Sequence, residues 1–142
     1  MAITIRLITT DADREGCYLV RNRVFIEEQQ VPPWEEMDAY DETALHFLAE
    51  DDGKVIGTAR LVRKDENTYK IGRVAIEADY RSRGIGRDLM WYVMAAGFND
   101  CEILILDAQI QVIAFYERLG FEAEGPIFLD ANIEHRRMVC KR

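Results

Sequence analysis

Positive charge is scarce in this sequence. Lysine and arginine number 18 against 26 aspartates and glutamates over 142 residues, a formal net charge of −8. A general nucleic-acid binder displaces counterions with a surplus of cations, so the balance excludes that class of partner. Long apolar runs are lacking too. None approaches the roughly 18 residues of a membrane span, and no membrane partner is expected. The opening MAITIRLITT lacks the basic start and apolar block of a secretion signal, which predicts a cytoplasmic protein. Cysteine is sparse: Cys17, Cys101 and Cys140 lie far apart, in apolar segments, with no CxxC pair. That spacing argues against a zinc site and predicts reduced, buried thiols and no metal. A cysteine nucleophile would need a partner base, and no pattern ties either histidine to one. Repeats, low-complexity tracts and Ser/Gly/Pro-rich linkers are also missing, so 1–142 reads as one domain.

What is present is a globular balance, 49% hydrophobic and 31% charged. A chain of this length buries about 70% of its unfolded surface without a metal or disulfide. AITIRLI alternates apolar and polar residues, as a half-buried strand does. Thr10 and Asp13 form a short capping box. Cys17, Val20 and Val24 follow at helical spacing, predicting a helix over about 11–28. Val31-Pro32-Pro33 stops it, because proline lacks the N–H donor and restricts its neighbour. After an acidic loop, ALHFLAED, KVIGTARLVR and YKIGRVAIE read as strands joined by turns at DDGK and DENT. The shared face of Ile85, Leu89, Tyr92, Val93 and Ala96 predicts a helix over about 85–96. CEILILDAQ reads as a buried strand, QVIAFYERLG as a short helix ending at Gly120, and FEAEGPIFL and HRRMVCK as closing strands. The hairpins imply a mostly antiparallel sheet. The unit from strand 68–76 through the helix to strand 102–107 is long enough for one parallel crossover. The fold class is therefore α+β (mixed α/β), a sheet with helices on its faces.

The stretch DYRSRGIGRDLM, Asp79–Met90, sets three arginines and two glycines in front of the second long helix. The first helical N–H groups have no internal partner, and the helix dipole puts roughly half a positive charge there. Gly84 and Gly86 clear the approach, and Arg81, Arg83 and Arg87 add charge, so the turn suits a phosphate. It is neither GxxxxGK[ST] nor GxGxxG, since no lysine and hydroxyl follow and no third glycine is present. Taken alone, RGIG is equally an ordinary turn with a solvated arginine rim.

The wider pattern separates these readings. Arg81-Ser82-Arg83-Gly84-Ile85-Gly86 fits [Q/R]-x-x-G-x-[G/A], and FYERLGF follows downstream in LDAQIQVIAFYERLGFEAEG. With GRVAI ahead of the loop, residues 68–125 resemble the acyl-CoA-binding half of the GNAT superfamily, the GCN5-related N-acetyltransferases. VRNRVFIEEQQVPPWEEMDAYDE, His46 and FLDANIEHRRM extend the resemblance over nearly the whole chain, to the ElaA/YjcF-like branch of small bacterial proteins.

The resemblance implies the GNAT fold: a mostly antiparallel twisted sheet of about six or seven strands, flanked by about four helices, with a splayed parallel strand pair at the cofactor site. It implies acetyl-CoA as co-substrate, with its pyrophosphate on the loop Arg81, Ser82, Arg83, Gly84, Ile85, Gly86 and Arg87. The edge Val74, Ala75, Ile76 would pair with the pantetheine arm, and one of its N–H groups would polarise the acetyl carbonyl. Gln109, Ala114 and Phe115 would line the far side. Tyr116 would be the general acid for the departing thiolate, or would only pack. The base is open, because Lys70 stands where histone-type members carry a glutamate. His46 and Glu28 are candidates, Glu28 also as an acceptor ligand, with His135 behind them. Arg73 would pair with a core carboxylate or bind an acidic group on the acceptor. Glu27–Glu42 holds seven carboxylates and no basic residue. It would wall the acceptor side and, with Trp34 and Tyr40, favour a cationic amine, or else be a solvated loop. The implied activity is acetyl transfer to a primary amine of a small molecule or peptide. A catalytically inactive acyl-CoA-binding sensor is the alternative. By analogy with small GNAT proteins, a homodimer is expected.

Overall fold

The computed structural model describes residues 2–142. Strand β1, Ile3–Leu7, leads to helix α1, Asp11–Arg21. The predicted box closes its start: the Thr10 hydroxyl accepts from the Asp13 N–H at 3.0 Å, and Asp13 Oδ2 accepts from the Thr10 N–H at 3.3 Å. The expected helix over 11–28 is α-helical only to Arg21 and then widens into a π-helical segment, Asn22–Glu28, a form that is rare elsewhere and enriched at functional sites. Proline both stops and starts here, since Pro33 is the first residue of the short helix α2, Pro33–Glu36. A 3₁₀ turn, Ala39–Glu42, follows.

Strands β2 (Leu45–Asp51), β3 (Lys54–Asp65) and β4 (Thr68–Ile76) form the predicted meander. Helix α3, Ile85–Phe98, crosses to β5, Ile103–Gln109. The last predicted helix is a 3₁₀ turn, Ile110–Val112, and a short α4, Ile113–Glu117, before the hairpin β6 (Glu122–Asp130) and β7 (Ile133–Lys141). The seven strands make one mixed sheet in the order β1-β2-β3-β4-β5-β7-β6, with β4–β5 the parallel pair. The core lies between this sheet and α3: Leu89, Met90 and Val93 are fully buried against Phe47, Leu61, Ile71, Leu104 and Met138. Each such side chain contributes about 1.5–3 kcal/mol by leaving water.

Two irregularities shape the sheet. β4 and β5 pair only over Thr68–Lys70 with Ile103–Ile105. Beyond that point β5 keeps β7 as partner out to Gln109, and β4 keeps β3. Between Thr58↔Ala75 and Arg60↔Gly72 the register slips, so Arg73 and Val74 together face Ala59. This is a β-bulge in β4, and bulges bend the strand that carries them. β4 and β5 therefore diverge and leave a wedge at the sheet centre.

Candidate active site

The wedge opens into a cleft of about 850 Å³. One wall is the β4 edge from Ile71 to Ile76, whose far side has no strand beside it. The other includes Leu106, Asp107 and Gln109 of β5 and Phe115 and Tyr116 of α4. At one end sits the glycine turn. Gly84 caps α3 at φ 81°, a left-handed value suited to glycine, and Ser82 is also left-handed at φ 62°. The first intrahelical bond is from the Asp88 N–H to the Gly84 carbonyl, 3.1 Å. The N–H groups of Ile85, Gly86 and Arg87 precede it and lie at the dipole's positive end. Alternating backbone of this kind makes an anion-binding concavity. A Cβ on Gly86 would meet only Phe115 and Ile76, at 3.7 and 3.8 Å, so this position lies open toward the cleft.

Of the residues expected at the cofactor, Val74, Ala75, Ile76, Arg81, Ser82, Gly84, Gly86, Arg87, Gln109 and Phe115 line this one cleft. Ile85 is buried under the turn, and Ala114 and Arg83 lie off the cleft wall, with the Arg83 guanidinium 5.5 Å from the Tyr80 ring centroid. Arg81 donates Nε–H to the Ile76 carbonyl (2.9 Å), which fixes the loop to the end of β4. Its two terminal nitrogens grip the Glu28 carboxylate, both at 2.9 Å. Glu28 is thus an ion-pair partner of the loop and not a cleft-lining group. Tyr116 lines the cleft between edge-on contacts with Phe115 and Phe121, at centroid distances of 5.0 and 6.2 Å. Burial pushes its phenol up to about 12, so it is protonated at neutral pH.

In the acidic segment Glu27, Glu28, Glu35 and Glu42 are exposed, while the other three carboxylates are held by arginines. Glu36, Asp38 and Asp41 meet three arginines from other elements in a network that is mostly buried. Arg21 of α1 holds Asp41 through two nitrogens (2.7 and 3.0 Å) and also pairs with Glu36. Arg60 of β3 holds Asp38 (2.7 and 2.8 Å) and Asp41 (2.8 Å). Arg73, on the bulge, donates to the Glu36 carbonyl from Nε and one terminal nitrogen (3.0 and 2.8 Å) and reaches Asp38 at 3.3 Å. Three cations balance three anions, as burial demands. Burial opposes ionisation of Asp41, but Arg21 and Arg60 outweigh it and hold the carboxyl well below the usual range. Burial, then Arg60 and Arg21, lowers the pKa of Arg73. Trp34 is exposed and off the cleft. Tyr40 lies under Lys64, whose Nζ is 4.7 Å from its ring centroid.

His46 belongs to the same buried region and not to the cleft. It is 2% exposed, with Nε2 donating to the Asp41 carbonyl at 2.9 Å, and burial lowers its pKa. The base candidate drawn from its place in the sequence is therefore a neutral core histidine with no access to the cleft.

Sequence reasoning gave no role to Asp107, Gln111 or Ala131, and named Gln109 and His135 without their neighbours. Asp107 sits where β4 and β5 part, bridging Lys70 Nζ (2.9 Å) and Arg137 Nε (2.6 Å). Burial opposes its ionisation, and these two cations more than compensate, lowering its pKa. Gln109 donates to Gln29 Oε1 at 2.8 Å, linking β5 to the end of the π-helical segment. Glu35, Gln111, Ala131 and His135 also line the cleft. No motif gives Asp107, Gln111 or Ala131 a role, since their common neighbourhood arises only from the sheet order. Among the described residues, no cluster of His, Cys, Asp and Glu is arranged to hold a metal, and no helix is long and apolar enough to cross a membrane.

Comparison with known proteins agrees with this geometry. The model of the acetyltransferase (GNAT) family matches residues 12–121. The uncharacterized N-acetyltransferase YjcF of Bacillus subtilis is 34% identical over 127 residues, covering 88% of this chain and 90% of its own. Among solved structures, an acyl-CoA N-acyltransferase from Pseudomonas aeruginosa superposes with a TM-score of 0.84 at 28% identity, over 98% of both chains. Escherichia coli ElaA superposes with a TM-score of 0.89 at 21% identity, over 99% of this chain and 100% of its own. A glycine-capped helix, a split parallel strand pair and a match to these proteins over most of the chain lead to one assignment: the chain belongs to the GNAT family of acetyltransferases.

Proposed function

We propose that the protein transfers an acetyl group from acetyl-CoA to a primary amine of a small molecule or peptide, by direct attack on the thioester. The carrying observation is the unpaired β4 edge, which runs from the Gly84 turn past Tyr116 within one cleft. Acetyl-CoA is a polyanion joined to an extended amide-bearing arm. The α3 N-terminus with its arginines suits the phosphates, and an open strand edge suits the arm by strand addition. Arg81 and the Ile85–Arg87 N–H groups would hold the pyrophosphate, and the left-handed Gly84 keeps that concavity open. N–H groups of Val74–Ile76 would receive the charge that develops on the acetyl oxygen. Tyr116 would give its proton to the departing sulfur.

A thiol-release assay with acetyl-CoA against a broad amine panel tests this reading. Release is expected with at least one amine. Tyr116→Phe is expected to lower kcat by about 10²–10⁴-fold, the usual worth of a positioned general acid, without changing the Kd for acetyl-CoA. Tight acetyl-CoA binding with no release by any amine would instead favour an acyl-CoA-binding sensor.

A further inference from the structure

The transfer needs a base for the acceptor's ammonium proton, and of the two histidines one is exposed to the cleft. His135 stands on β7 opposite Gln109 and lines the cleft beside Ala131 and Ile133. Its Nδ1 lies 2.7 Å from the Ile133 carbonyl. A carbonyl only accepts, so Nδ1 carries the hydrogen in the neutral ring and Nε2 is left as the acceptor. The ring is stacked on Phe128, centroids 5.9 Å apart with planes 21° from parallel, which restricts its rotation. A tautomer fixed through the other nitrogen is how proteins orient a histidine that handles protons. His46 is arranged the opposite way: its Nε2 is committed to the Asp41 carbonyl, and the side chain is sealed in the core.

We infer that His135 is the general base of the acetyl transfer; this rests on the transferase reading above. Nε2 takes a proton from the acceptor ammonium. The freed amine nitrogen bonds to the acetyl carbon, and the carbon–sulfur bond breaks with its electron pair passing to sulfur. Tyr116 protonates that sulfur. The second amine proton leaves as the amide forms and restores the Tyr116 phenol through solvent, so one proton is released per turnover. Charged groups stand on the elements next to the ring. Asp107, paired with Lys70 and Arg137, lies two residues before its β5 partner, and Asp130 lies at the end of β6. Glu134 and Arg136 flank it on β7, and Glu35, Glu36 and Arg73 share the cleft, while the adjoining turn Ile110–Val112 is uncharged. Among the described residues His135 makes no bond to the phosphate turn, so its loss leaves cofactor affinity in place.

The test compares wild type with His135→Ala. The variant is expected to lose about 10²–10⁴-fold in kcat/KM, to lose the acid limb of the pH profile, to regain turnover with added imidazole, and to keep the wild-type Kd for acetyl-CoA. Nitrogen-15 NMR of the wild-type imidazoles adds a measurement that needs no variant. It should show His135 in the Nδ1–H form, titrating at the midpoint of the kinetic acid limb. Full turnover in His135→Ala, an Nε2–H tautomer, or a midpoint away from the limb overturns the base alone. A wild type that acetylates no amine overturns the transferase reading and the base with it.

Discussion

Arg73 has a left-handed backbone, φ 51°, at the bulge where β4 bends. For a residue other than glycine this costs on the order of 1–3 kcal/mol. The strain persists because the guanidinium clamps the Glu36 carbonyl and Asp38. Arg73→Gly removes both strain and clamp, whereas Arg73→Ala keeps the strain and loses the clamp. The alanine variant should therefore be the less stable of the two by about 1 kcal/mol. Equal urea midpoints would remove the strain from this account. His46 offers a second contrast at this scale. His46→Ala leaves the Asp41 carbonyl with only its 3.2 Å bond from Arg14 and opens a gap in the core, which should cost about 1–3 kcal/mol. Because the ring has no access to the cleft, the acid limb of the pH–rate profile should stay in place.

At the scale of elements, the turn ahead of α3 depends on two glycines in different ways. Gly84 is left-handed, and an added Cβ would lie 3.1 Å from an Arg87 terminal nitrogen. Gly84→Ala should thus lower the melting temperature and weaken acetyl-CoA binding together, as the cap conformation becomes costly. Gly86 is helical with ordinary clearance, so Gly86→Ala should hold or slightly raise the melting temperature. The short helix α2 buries little; Glu36 fastens it to Arg21 of α1 and Arg73 of β4, while Asp38 and Asp41 fasten the turn after it to α1 and β3. Asp41→Asn breaks a buried pair from one side and should cost about 3–5 kcal/mol, read from chemical denaturation.

For the whole molecule, the same network sets the acid limit of stability. His46 has a folded pKa below its unfolded value near 6.5, so the unfolded chain binds the proton first and stability falls as pH drops below about 6.5. Asp38, Asp41 and Asp107 are likewise depressed. Their contribution is complete above the unfolded carboxylate value of about 3.9 and is lost as pH falls through the folded values. Urea midpoints measured from pH 8 to pH 3 should decline gently below about 6.5 and steeply below about 4. A flat profile across that range would show that these groups do not differ between the folded and unfolded chain.

Much of this architecture was legible in the residues because its signals are local. The Thr10–Asp13 box, the strand alternation and the glycines ahead of α3 act within a few positions of themselves, through backbone geometry and capping bonds. The divergence of β4 from β5 was legible only through resemblance, and its cause, two residues facing Ala59, has no mark of its own in the sequence. The sequence does not decide between an acceptor wall and a solvated loop for the acidic run, because the arginines that hold Glu36, Asp38 and Asp41 lie 15 to 37 positions away from the groups they bind. The two histidines illustrate the division most plainly. Sequence alone placed both in strand-like runs, whereas sheet order and burial decided that His46 is sealed beside Asp41 and His135 is exposed to the cleft. Patterns of periodicity and capping are written in neighbouring residues, but burial and tautomer depend on groups that only the folded sheet brings together.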